Sequence, residues 1–147
     1  MTYDYLKFGG NTEGAKKVFD YLAENTSVEF NRNVFTNYKS DKFSFVGTIH
    51  KEDMVPLIKL GATLIESEHN HPDAVTFWPS GFNVNYDVAT GKFDYSKGLP
   101  TGDIKAAKNN PNVKFLLYAP NYYDGALRIH FDSQKIISIT NQEKKGK

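Results

Sequence analysis

The order in which two hydrophobic periodicities alternate along the chain constrains its fold most. Ala15, Val18, Phe19 and Leu22 recur at i, i+3, i+4 and i+7, which predicts an amphipathic helix of about three turns. The turn Phe8-Gly9-Gly10-Asn11 precedes it, Thr12 is placed to cap it and Asn25 to end it. Apolar and β-branched runs then predict strands over 27–32, 43–50 and 62–71, and Pro72 stops the last because proline cannot donate to a ladder. Glu52 to Leu60 reads as a short helix limited by Pro56. Residues 82–88 and 92–95, joined by Ala89-Thr90-Gly91, read as a hairpin. Leu99-Pro100-Thr101-Gly102 opens a helix over 103–109, and 113–119 is an apolar strand suited to the centre of a sheet. Strands over 126–131 and 135–140 follow. Helices interleaved with strands in this order predict an α/β fold, a mixed β-sheet with helices packed on it. A single domain is expected over 1–141, with the hairpin at about 82–95 within it and 142–147 as a disordered charged tail.

Composition removes several functional classes. A length of 147 residues suits one domain and excludes a (β/α)₈ barrel, which needs about 250. Eighteen basic side chains face 17 acidic ones, so no overall field draws the chain to nucleic acid or to an anionic membrane. No run approaches the ~20 apolar residues of a membrane span. Met1-Thr2-Tyr3-Asp4-Tyr5-Leu6-Lys7 lacks the apolar stretch of a signal peptide, so the chain is expected to be soluble with no address of its own. The absence of cysteine excludes disulfides, thiolate metal sites and cysteine nucleophiles. Any transition metal must therefore be held by carboxylates and the four histidines, His50, His69, His71 and His130.

Chemistry concentrates in Glu68-His69-Asn70-His71-Pro72. Residues two apart on a strand share a face, so His69 and His71 project side by side and can bind one Zn²⁺. Glu66 and Glu68 alternate to the other face, where they are expected to meet solvent. Glu29 is expected mid-strand between Val28 and Phe30, where a carboxylate needs a partner such as a metal-bound water; ordinary outward alternation explains it equally. Two histidines need a third protein ligand. Asp87, Asp94 and Asp103 follow them; Asp103 stands at a helix start, while Asp87 and Asp94 lie on the exposed hairpin. His50 and His130 each stand alone, which favours structural roles. Trp78, Phe82, Tyr122 and Tyr123 fall in loops near the site and could line a groove.

Glu29, His69-x-His71-Pro72, Pro79-Ser80-Gly81 and Gly102-Asp103-Ile104, in that order, resemble the JAMM/MPN zinc metalloproteases. More narrowly, 22–30 and 68–72 resemble the JAB-like toxin domain that ends bacterial Rhs-type polymorphic toxins. The resemblance spans Thr12 to Phe131. It implies cytidine-deaminase-like layering and a zinc ion held by His69, His71 and Asp103 with a water as fourth ligand. It implies Glu29 as the base that takes the water's proton and passes it to the leaving amine. It also implies a serine that donates to the oxyanion. Position 100 is Pro, where the family has serine three residues before the Asp, and relative to the family the hairpin at about 82–95 is an insertion, so Ser80 would return from before it, Thr101 would substitute, or no hydroxyl would serve. The function implied is a zinc-dependent peptidase or isopeptidase, delivered within a larger bacterial toxin. Its partners would be a protein or peptide substrate and a cognate immunity protein. The other reading is a JAMM/MPN-like binding module without catalysis. A phosphoesterase with His-x-His is disfavoured, since only two histidines are left for further metals.

Overall fold

The computed structural model describes residues 2–51, 62–73, 76–122 and 125–143. Among them, nine strands and two helices follow one another as β1 (Asp4–Gly9), α1 (Thr12–Asn25), β2 (Phe30–Thr36), β3 (Lys42–Thr48), β4 (Thr63–Asn70), β5 (Phe82–Tyr86), β6 (Phe93–Lys97), α2 (Gly102–Asn109), β7 (Lys114–Ala119), β8 (Gly125–Phe131) and β9 (Ile136–Glu143). Seven strands form one sheet in the order β1-β3-β2-β4-β7-β8-β9, and β5 with β6 forms a separate antiparallel hairpin. The expected mixed α/β domain is thus observed. Its one parallel pair is β4 with β7. Parallel neighbours require a crossover connection, and the hairpin and α2 lie in that crossover.

Two layers cover the sheet. On one face α1 buries Ala15, Phe19 and Ala23 against Val46, Tyr118 and Ala126. On the other, Ile104 and Ala107 of α2 and Phe82 and Val84 of the hairpin pack on Phe115, Leu117, Leu127, Ile129 and Phe131. Each large apolar side chain buried here contributes about 1.5–3 kcal/mol. No helix among the described residues is long and apolar enough to cross a membrane.

Several sequence expectations need correction. The segment before the first helix is not merely a turn: β1 pairs with β3 as an edge strand. Its alternation is obscured because every residue but Phe8 is exposed. Asn11, not Thr12, caps α1, its Oδ1 accepting the Gly14 N–H at 2.9 Å. The strand expected at 27–32 is β2 at Phe30–Thr36, so Glu29 lies just outside it. β9 runs through Gln142 and Glu143, which pair with Ala126 and Gly125 and so are not tail. The helix expected over 52–60 and the remaining tail at 144–147 lie outside the described residues.

The largest departure is Glu68. It does not face solvent; it is fully buried under α1. Its carboxylate accepts from Arg32 Nε at 3.0 Å and Nη2 at 2.9 Å, and from Arg128 Nε at 2.7 Å. Arg128 also donates to Asp20 of α1 and lies over the Tyr118 ring, 4.1 Å from its centroid. Glu66, one-quarter exposed, pairs with Arg32 at 2.6 Å. Removing one member of such a buried network leaves opposite charges uncompensated. Glu68→Ala is therefore expected to lower the unfolding free energy in urea by about 3–5 kcal/mol. Glu66→Ala, at the wetter end, should lower it by less than about 1 kcal/mol.

Candidate metal centre

His69 occupies the last turn of the β4 pleat, and His71 lies one residue past its end. The backbone stays extended there because the His71 N–H donates to the Tyr118 carbonyl at 3.0 Å, prolonging the β4–β7 pairing. Both imidazoles consequently project from the α2 side of the sheet, with ring centroids 5.1 Å apart. His71 Nδ1 lies 2.9 Å from the Thr76 carbonyl, an acceptor only, so Nδ1 carries the proton and Nε2 keeps its lone pair. Asp73 builds the turn that presents this carbonyl, accepting from the Thr76 N–H at 2.7 Å and from its hydroxyl.

Asp103 enters from the first turn of α2. Its Oδ1 lies 3.1 Å from His69 Nε2 and its Oδ2 3.7 Å from His71 Nε2. A tetrahedral ion with bonds of 2.0–2.1 Å separates its ligand atoms by about 3.3 Å. One atom from each of the three residues lies within 4.8 Å of the others, so the donor set is positioned to hold a metal ion. The three side chains also act on one another electrostatically. Burial opposes ionisation of His69, but the Asp103 carboxylate, with smaller contributions from Glu29 and Glu68, raises it to about 9. Burial and the neighbouring His69 hold His71 below the usual histidine value. Burial also opposes charge on Asp103, yet His69, His71 and the Ser80 N–H hold its carboxyl well below the carboxylate range.

Ser80 returns from before the hairpin to this helix start. Its N–H donates to Asp103 Oδ2 at 2.8 Å, and its Oγ accepts the Asp103 N–H at 2.7 Å. Thr101, the alternative hydroxyl, stands at the N-cap position but makes no side-chain capping bond. Two glycines permit the interlock. Gly81 has φ +96°, and a Cβ on it would run into Ile104; Gly102 has φ +45°, and a Cβ there would fall on the Ser80 hydroxyl. The Gly98 N–H donates to the Gly81 carbonyl at 2.7 Å, closing the hairpin base beside the Ser80–Asp103 joint.

Glu29 is buried on the short segment between α1 and β2. The Lys51 carbonyl accepts its N–H at 2.7 Å, and the Thr48 hydroxyl donates to its carbonyl at 2.7 Å. Its carboxylate is one of the charges that favour the ionised form of His69, with a smaller contribution than Asp103 makes. Asp87 instead caps the hairpin turn by accepting the Ala89 N–H, and Asp94 is exposed on β6. Neither joins the His-His-Asp group. His50 is exposed and pairs with Asp4 at 2.7 Å, while His130 lies on β8 opposite Leu116. Of the aromatics, Phe82 is core, Tyr122 packs on Phe77 at 4.5 Å, and Tyr123 lies outside the described residues. Trp78 borders a cleft of about 420 Å³ whose polar lining comes from Asn83, Asn85, Asp94 and Ser96.

Sequence reasoning missed Thr76 and the buried environment of Glu68. A Pro-Asp turn signal at 72–73 marks the first; nothing local marks the second.

Gly102→Ala is expected to push Ser80 off Asp103 and weaken divalent-metal binding by more than about tenfold in a chelator competition titration. Gly91 also has positive φ but open space around it, so Gly91→Ala should strain the turn and leave metal affinity unchanged.

A sequence model of the family described as JAB-like toxin 1 matches residues 8–108, from the end of β1 through nearly all of α2. No curated protein and no solved structure matches.

Proposed function

This chain belongs to the JAB-like toxin 1 family, and we propose that it is a zinc-dependent peptidase or isopeptidase acting as the toxin domain of a larger delivered polypeptide. The observation that carries the reading is the convergence of His69, His71 and Asp103 within metal-binding distance where β4 leaves the sheet. In open α/β sheets, ligands gather outside the carboxyl ends of parallel strands, and β4 with β7 is this sheet's parallel pair. The partners in this reading are a protein or peptide substrate and a cognate immunity protein.

His69 Nε2, His71 Nε2 and one Asp103 oxygen would hold the ion. Zinc bound there supplies Lewis acidity that makes water nucleophilic near neutral pH. Two imidazoles and one carboxylate are a donor set that would suit that ion, which would take the lone pair that the His69 proton otherwise occupies. Glu29, buried yet electrostatically coupled to His69, is the group that accepts the proton of the attacking water on a carboxylate oxygen. It returns that proton to the amide nitrogen as the C–N bond breaks, so the products are a free carboxylate and a free amine. Ser80 accepts the Asp103 N–H with an oxygen lone pair, which leaves its O–H to donate to the carbonyl oxygen as that oxygen gains charge. The Thr76 carbonyl holds His71 in the tautomer that keeps Nε2 available.

Cytosolic expression of the wild type should inhibit bacterial growth. Glu29→Gln should relieve inhibition and lower turnover by about 10²–10⁴-fold while keeping one zinc per chain. Undiminished toxicity in Glu29→Gln would remove Glu29 from the mechanism. Harmless wild-type expression with zinc retained would favour the non-catalytic binding module.

A further inference from the structure

Asn70 sits between the two histidines in sequence but points to the opposite face of β4, where it is fully buried. Its side-chain amide is spent on two backbone groups. Oδ1 accepts the Phe30 N–H at 2.6 Å, and Nδ2 donates to the Val28 carbonyl at 3.1 Å. These are the backbone groups immediately before and after Glu29. The contacts span 40 and 42 residues of sequence; one meets Phe30, the first residue of β2, and the other Val28, in the segment between α1 and β2. We propose that Asn70 is a positioning residue, which clamps the backbone on both sides of Glu29 and so sets its carboxylate against the His69–His71 pair. The inference rests on the functional reading above, because a clamp matters to catalysis only if Glu29 is the base.

The geometry explains why an amide is suited to this place. The clamp needs one acceptor and one donor on adjacent atoms, which a neutral Asn supplies and a neighbouring apolar side chain does not. A carboxylate would lack the donor and would add a buried charge beside Glu68, which already shares two arginines with Glu66 and Asp20. Among the described contacts, the Glu29 backbone is held by the Asn70 amide on its neighbours, the Thr48 hydroxyl on its own carbonyl, and the Lys51 carbonyl on its own N–H. Of these, Asn70 alone belongs to the strand that carries His69. Movement of β4 therefore moves base and imidazoles together.

The test compares Asn70→Ala with wild type in the zinc-loaded, full chain. Both His ligands and Asp103 are untouched, so zinc affinity by chelator competition should be unchanged. The kcat should fall about 10–100-fold with KM unchanged, as misplacing a base by about an ångström does. Hydrogen exchange at the Phe30 amide should accelerate. In a Glu29→Gln background, Asn70→Ala should cause no further loss, because it acts through the group already removed. Should Asn70→Ala not fold, Asn70→Ser, which retains one hydrogen-bonding oxygen, carries the same comparison with a smaller drop. Unchanged kcat in an active enzyme, unaltered Phe30 exchange, or a full additive loss in the double variant would each overturn the positioning role alone. A wild type without hydrolysis would overturn the functional reading and this proposal with it.

Discussion

The fully buried Glu68 carboxylate, held between Arg32 and Arg128, fixes the register on which the site depends. Strand residues alternate faces, so a one-residue slip of β4 would send His69 and His71 under α1 and expose Glu68 to the opposite layer. That slip would abandon a charge-assisted network spanning β2, β4, β8 and α1. A buried ion network is a poor source of net stability compared with apolar packing, but it penalises alternative pairings strongly. Here the penalty falls on arrangements that would dismantle the His pair. One face of β4 thus anchors the strand and the other carries His69 of the His-His-Asp group.

The second constraint is the joint between Ser80 and Asp103. Two reciprocal hydrogen bonds bring together residues 23 positions apart. The intervening hairpin packs Phe82 and Val84 into the core under α2 and contributes no member of the His-His-Asp group. The centre therefore depends on this local joint more than on the length of the chain between its two halves, because loop closure costs grow slowly with length.

What the sequence made legible was what short-range periodicity controls. The shared face of His69 and His71 needs only a period of two and a stop at Pro72, and both hold in the structure. The hairpin and α2 followed from turn chemistry at 89–91 and 99–102. Asp103 stood out by its place at a helix start, and it meets both imidazoles. Glu68 was misread because alternation places a carboxylate outward by default, while its partners lie 36 and 60 residues away. Glu29 was placed inside a strand for a related reason. Local apolar neighbours suggested a pleat, but distant groups at Thr48, Lys51 and Asn70 hold that segment in an irregular path. Edge strand β1 was overlooked because five of its six residues are exposed and so give no apolar alternation.

The proposed function stands or falls on one zinc ion bound by His69, His71 and Asp103. X-ray absorption at the zinc edge of the zinc-loaded protein tests it most directly. Two imidazole nitrogens at about 2.0–2.1 Å are expected in the first shell, completed by oxygen ligands, with one imidazole lost in His69→Ala and in His71→Ala. A protein that takes up no zinc, or whose zinc shell contains no imidazole, would contradict the account.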